Sequence, residues 1–253
     1  MKIHVLVSLL LASVMVSGQS PPPVAVSAAI SLSESLEEAA KAYAAAGGGP
    51  VRFNFAGSNV LARQIVNAAP ADLFISADED QMNVVAKAGA LRDGTRVELL
   101  GNQLAVVAPA DRVAFVKEQF VRAPAEIRRL AIGDPAAVPA GVYARQYLEK
   151  KKLWTAYESR LVPTTNVRAA LTAVENGAAD AAIVYVTDVA AARNAALAFV
   201  VPVEEGPRIV YPAAVLSAAK NQVEAERFLS FLRGREAAAI FRRYKFIPLS
   251  STP

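Results

Sequence analysis

The chain has 253 residues, 54% of them apolar, and a formal net charge of +4. Its one histidine, His4, lies in an apolar leader, and it has no cysteine; that removes most nucleophile–base pairs and the usual zinc and thiol chemistry. Lys and Arg number 27 against 23 Asp and Glu, a mild excess with no basic stripe interleaved with aromatics, which speaks against a nucleic-acid surface.

The chain opens with Lys2, an apolar stretch over residues 3–16, then Ser17, Gly18 and Gln19. A charged start, a short apolar core and small residues at a cut are the pattern of a secretory signal peptide, expected over residues 1–20. The stretch holds His4, Ser8 and Ser13 and falls short of the roughly 20 residues of a membrane span. No cysteine follows it for a lipid anchor. Pro21, Pro22 and Pro23 read as a stiff spacer. What remains is enough for one large domain or two lobes.

Apolar strand-like runs follow at 24–28, 51–55, 72–76, 104–107, 130–132, 181–185, 197–201 and 209–216. Helical patterns fall between most of them. Leu32, Leu36, Ala39 and Tyr43 share one face, with Gly47 placed to end that helix. Met82, Val85 and Ala86 make a shorter face ending at Gly89, and Val167, Ala170, Leu171 and Val174 another ending at Gly177. Ala225, Phe228, Leu229 and Leu232, then Ile240, Phe241 and Tyr244, mark two closing helices. Alternating strand and helix predicts an α/β fold with mainly parallel sheets. Pro109, Pro124, Pro135 and Pro139 make the stretch from Ala108 to Ala140 look loop-rich.

The candidate site residues sit where strands run into helices. Ser31 with Glu34 fits a capping box, and Ser58 in FNFAGSNVLARQI fits an N-cap. Gly57 lets the backbone approach a ligand closely. Pro139-Ala140-Gly141 precedes a helix, where Ala140 offers only its backbone. Thr165 or Asn166 reads as a cap, with Val167 in the first turn. Tyr185 ends the strand AAIVY and reads as core with a satisfied hydroxyl. Together these place helix starts after successive strands, where ligands bind in open α/β sheets. Helix N-termini carry free N–H donors and a positive dipole end, so a convergent set suits an anion. Arg63 and Arg168 are the nearest basic residues; a surface ion pair or packing role is favoured for both.

The strings SAAISLSESL, FNFAGSNVLARQI, APADLFISAD, LLGNQLAVVAP, AIGDPAAVPAGVYARQYL and AAIVY resemble, in order, those of the periplasmic molybdate-binding proteins of ABC importers. The resemblance runs through the mature chain to FRRYKF. It implies a two-lobed type II periplasmic binding fold with a ligand cleft between the lobes. The first lobe would span 24–102 and resume at 208–253, with the second at 103–207 and crossovers near 99–104 and 202–211. It implies that the oxyanion is held by Ser31, Ser58 and Tyr185 through hydroxyls and by Ala140 and Val167 through backbone N–H. Molybdate or tungstate is the implied ligand, with no cofactor, no catalysis and no direct cation coordination. A monomer in the periplasm that delivers to a membrane permease is the implied setting. Two positions depart from the family: Gly57 stands where Ser is common, and Val186 where a small residue such as Gly is frequent. Other readings are a binder of sulfate or phosphate, a regulator's sensing domain, or an enzyme. The leader and the lack of room for a helix-turn-helix disfavour the regulator. An enzyme has only a Ser/Lys pair left, and no SxxK string stands in a suitable place.

Overall fold

Two sheets, each backed by helices, organise residues 22–249, the part of the chain that the computed structural model describes. The expected leader lies outside the described residues. The first part of the chain runs β1 (Val24–Ala29), α1 (Ser33–Ala45), β2 (Val51–Ala56), α2 (Ser58–Val66), β3 (Leu73–Ile75), α3 (Glu79–Lys87) and β4 (Val97–Asn102). The middle runs β5 (Leu104–Pro109), α4 (Val113–Arg122), β6 (Leu130–Gly133), α5 (Pro139–Lys150), α6 (Trp154–Tyr157), β7 (Leu161–Thr164), α7 (Val167–Glu175), β8 (Ala181–Tyr185) and β9 (Ala195–Val200). The chain closes with β10 (Ile209–Val215), α8 (Gln222–Leu232), α9 (Arg235–Arg243) and β11 (Ile247–Pro248).

The first sheet has the order β11-β4-β10-β3-β1-β2 and the second β7-β6-β8-β5-β9. The sheets are mixed, not mainly parallel. β1 pairs in parallel with β2 and β3, and β6 with β7 and β8. β10 runs antiparallel to β3 and β4, β11 to β4, and β5 to β8 and β9. The antiparallel pairs involve the strands that carry the chain between sheets. β4 and β5 are separated by Gln103 alone, so the chain passes from one sheet into the other with almost no loop. Strands joined this way have no helical crossover to turn them parallel.

The burial pattern explains which runs became strands. All residues of β1, β8 and β10 are buried, as expected of central strands covered on both faces. In β3, Leu73 and Ile75 join the core that includes Leu36 and Tyr43 of α1 and Phe228 of α8. Phe74, between them, points to the other face and packs with Leu61 and Ile65 of α2 and Met82 and Val85 of α3. That alternation sandwiches the first sheet between helices. In the second sheet, α5 and α7 pack on β6 and β8, and α4 on β5 and β9.

The Ala108–Ala140 stretch is more regular than its prolines suggest. It contains the ten-residue α4 and the strand β6. Pro109 ends β5, Pro124 opens a short 3-10 turn and Pro139 is the first residue of α5, so these three mark ends of elements. The periodicity also missed β4, β7 and β11.

One glycine sets how close α5 lies to its strand. A Cβ on Gly141 would fall 2.0 Å from the carbonyl oxygen of Gly133 and 2.7 Å from that of Asp134. Both are backbone atoms, so no side-chain rotation relieves the clash. Gly141→Ala is therefore expected to destabilise the protein by about 1–3 kcal/mol through overpacking, read as a lower midpoint in urea unfolding; an unchanged midpoint would show that α5 can shift freely.

Candidate functional site

Ser31, Ser58, Ala140, Val167 and Tyr185 line one cavity. Ser31 sits in the 3-10 turn Ile30–Leu32 after β1, and Ser58 is the first residue of α2 after β2. Ala140 is second in α5, Val167 first in α7, and Tyr185 last in β8. Two come from the first sheet's side and three from the second, so the cavity lies between the lobes. None of the five is more than 4% exposed, so the cavity is closely walled by protein. The cavity is small, about 20 Å³.

The hydrogen-bond positions of these groups decide what the cavity can do. Ser58 Oγ accepts from the backbone N–H of Ala77 at 2.9 Å, which leaves the serine proton free. Ser31 Oγ lies 3.0 Å from the phenol oxygen of Tyr211. The Tyr185 hydroxyl is buried with no partner, an arrangement that native structures seldom tolerate unless something else satisfies it. Burial raises its pKa well above the ordinary value, so it stays a neutral donor. Ala140 and Val167, within the first two residues of their helices, hold N–H groups outside the i→i−4 ladder. The N-termini of α2, α5 and α7 thus face one cavity with their positive dipole ends.

Three local expectations are corrected. Ser31 and Glu34 form no capping box, because α1 starts at Ser33 with Leu32 as an uncapped N-cap. Glu34 turns instead to Arg168. Ser58 is not an N-cap either: Gly57 holds that position, and the Ser58 hydroxyl reaches across to Ala77. Tyr185 has a core ring, but its hydroxyl is unsatisfied. Asn166, by contrast, caps α7 through the Ala169 N–H at 3.0 Å.

Among the described residues, no cationic side chain lines the cavity. Arg168 donates its Nε to Asp188 Oδ1 at 2.5 Å and its two Nη groups to the Glu34 carboxylate at 3.0 and 2.8 Å. This fork ties α7 of one lobe to α1 of the other. Burial pulls the Arg168 pKa down, but Asp188 and Glu34 together hold it above the usual value. Arg63 is exposed on α2. Among the described residues, no group of three or more His, Cys, Asp or Glu gathers as a metal site.

Gly57 also lines the cavity, and its neighbour explains why no side chain stands there. An added Cβ would lie 3.0 Å from the carbonyl oxygen of Thr165, on the opposite lobe. Val186 raises no backbone difficulty: it opens a 3-10 helix, Val186–Ala191, and is not among the residues with positive φ. The sequence reading missed Tyr211 and Asn102. Asn102 Nδ2 donates to Tyr211 Oη at 3.1 Å and to Thr187 Oγ1 at 3.0 Å. The available signal was a tyrosine inside an all-apolar strand, whose hydroxyl needs a partner when buried.

Asp78 caps α3, accepting from the Gln81 N–H at 2.9 Å. Burial pushes its pKa up from 3.8 to about 6. The folded state thus holds this proton more tightly than the unfolded chain, and stability falls as pH rises from about 4 through 6. Asparagine keeps the cap without the charge. Asp78→Asn is expected to leave stability unchanged near pH 4 and raise it above pH 6, by at most about 3 kcal/mol. Urea titrations at the two pH values measure this, and equal effects at both would contradict it.

Comparison with known proteins places this geometry. The pattern of the bacterial extracellular solute-binding proteins matches residues 24–247. The molybdate-binding protein ModA of Escherichia coli (strain K12) is 38% identical over 227 residues, covering 88% of each chain. That of Haemophilus influenzae is 34% identical over 244 residues, covering 94% of this chain and 95% of its own. Among solved structures, the periplasmic molybdate-binding protein of Azotobacter vinelandii superposes with a TM-score of 0.77 at 25% identity, covering 88% of this chain and 98% of its own.

Proposed function

The chain belongs to the bacterial extracellular solute-binding proteins, and from that premise we propose that it captures molybdate, and tungstate alike, for delivery to an ABC permease. The observation that carries this reading is the donor set. Ser31, Ser58 and Tyr185 bring hydroxyls and Ala140 and Val167 bring backbone N–H groups to one buried cavity between lobes. No carboxylate or cation lines it. Molybdate and tungstate are tetrahedral dianions whose oxygens only accept. A ring of donors satisfies them, and each charge-assisted bond is short and strong. Three helix N-termini add positive potential without a counter-ion.

Binding and release are the whole cycle in this reading. The two lobes, 24–102 with 208–253 and 103–207, close on the ion and expel water. Nothing at the cavity supplies a nucleophile with a base, so the bound ion leaves unchanged. The chain acts as a monomer without a cofactor, outside the cytoplasmic membrane. The leader supports export, and periplasmic protein should give, by mass spectrometry, a chain starting between about residues 18 and 24. An intact Met1 in a membrane fraction would refute export with cleavage.

The same donor set predicts selectivity. Hydrogen phosphate carries a proton that would face donors, and a buried unpaired polar group costs roughly 1–3 kcal/mol. Sulfate is fully ionised but smaller, and lengthened hydrogen bonds weaken steeply. Calorimetric titration of the mature protein should therefore show similar affinities for molybdate and tungstate and far weaker ones for sulfate and phosphate. Displacement of molybdate by equimolar phosphate would place an acceptor or counter-charge in the site.

A hydrogen bond to a charged group contributes about 1.5–3 kcal/mol. Ser31→Ala, Ser58→Ala and Tyr185→Phe are each expected to weaken molybdate binding about tenfold to a hundredfold. Since Ser31 caps no helix, its variant should keep the first helix intact by circular dichroism. Unchanged affinity in all three would remove these hydroxyls from the site.

A further inference from the structure

We infer that Asn102 and Tyr211 are positioning residues that orient the Ser31 proton into the cavity and so make the site reject protonated oxyanions. The inference rests on the oxyanion reading above and adds residues that touch no ligand.

The direction of the chain follows from one backbone contact. The N–H of Gln103 donates to Asn102 Oδ1 at 2.8 Å. That fixes which end of the amide is oxygen, so Nδ2 must face the other way. Its two protons go to Thr187 Oγ1 at 3.0 Å and Tyr211 Oη at 3.1 Å. The Tyr211 oxygen is therefore an acceptor toward Asn102, and its own proton is left for Ser31 Oγ, 3.0 Å away. Ser31 in turn accepts, and its proton is left for the cavity that it lines. The opposite polarity would strand the Tyr211 proton at a fully buried position, where an unsatisfied donor is costly. Burial also raises the Tyr211 pKa, so the phenol does not ionise and break the sequence of donors. Tyr211 is braced edge-on by Tyr185 and Phe246, with ring centroids 5.8 and 5.4 Å away.

The placement has a second consequence. Asn102 ends β4, Gln103 is the single residue before β5, and Thr187 follows β8. The chain of bonds starts at the passage between sheets and ends on the first sheet's serine. Ser31 is thus left with its proton for the cavity by two groups of the first sheet, Asn102 and Tyr211, with Thr187 of the other side fixing the amide.

Sulfate and hydrogen phosphate isolate this effect, because they are close in size and, above neutral pH, equal in charge, and differ by one proton. The test is competition of each against molybdate at pH 8, read as the ratio of their dissociation constants. Tyr211→Phe frees Ser31 to accept from a ligand hydroxyl. The preference for sulfate over phosphate should then shrink about tenfold, while molybdate affinity falls only several-fold. Asn102→Asp keeps the acceptor for Gln103 and offers a second acceptor to Tyr211, which reverses the chain. It should shrink the same ratio further. A merely structural or charge effect would weaken both dianions together and leave the ratio unchanged. An unchanged ratio in both variants, with native melting profiles, overturns the inference while molybdate binding by the unsubstituted protein still upholds the oxyanion site. Failure of the unsubstituted protein to bind any oxyanion overturns both.

Discussion

The structure is governed by the cost of holding a charged group in a cavity that contains no opposite charge. Moving an ion out of water is among the largest penalties a protein interior faces. Here the compensation on offer is dipolar: three helix N-termini and three hydroxyls line the same cavity. Dipoles stabilise a charge only if they are already aligned, since reorienting them at the moment of binding would consume the gain. Much of the surrounding architecture serves that alignment. Ala77 turns the Ser58 hydroxyl, Asn166 fixes the first turn behind Val167, and the Gly141–Gly133 contact presses α5 against β6 so that Ala140 reaches the cavity edge.

The Arg168 guanidinium beside the cleft is engaged by carboxylates. Arg168 follows Val167 directly, yet its fork is occupied by Glu34 and its Nε by Asp188. Asp188 is fully buried and also accepts the Tyr185 N–H at 3.2 Å. Without Arg168, that carboxylate would stand without its ion-pair partner three residues from a proposed donor to a dianion. The ion pair therefore removes a negative potential from the cavity while the Glu34 arm spans the lobes. A half-exposed pair such as Arg168–Glu34 contributes little to overall stability; its value lies in where it joins the two halves.

Much of the cleft was legible in the sequence because its construction is local. A strand, one or two small or polar residues, and a helix start are all written within ten residues, so the junctions that hold Ser31, Ser58, Ala140 and Val167 stand out locally, while the choice of these groups as donors, and of Tyr185 with them, came from the family resemblance. What each side chain does at its junction was less legible. A serine before a helix is equally compatible with capping and with reaching across, and propensity does not distinguish them. Ser58 reaches Ala77, nineteen positions away, and Ser31 meets Tyr211, 180 positions away. Contacts of that separation are set by the topology that returns β10 beside β3 and β4. No periodicity encodes them, and Tyr211 and Asn102 stayed hidden for that reason. Strand direction was hidden likewise. Alternation of strand and helix predicts parallel pairing only where each helix returns the chain to the same sheet, and here β4–β5 and β9–β10 carry it from one sheet to the other.

The same geometry explains why closure should depend on the ligand. With the lobes together, Gly57 lies close to Thr165, Gln81 reaches the Ala137 carbonyl at 3.5 Å, and Arg168 spans to Glu34. These contacts join the two lobes. Against them stands the polar lining: among the described residues the Tyr185 hydroxyl has no protein partner, and the N–H groups of Ala140 and Val167 lie outside their helices' hydrogen-bond ladders. Each unsatisfied buried donor costs about 1–3 kcal/mol, so a few of them rival the modest gain from the interlobe contacts. On the proposed reading, an oxyanion that accepts from all of them would remove that cost where both lobes reach it at once. Its differential affinity for the two forms is then large by construction, which is the requirement for a ligand to shift a conformational equilibrium. A proton on the ligand, or a smaller ion that leaves one donor unmet, returns part of that cost, so recognition and closure are one event.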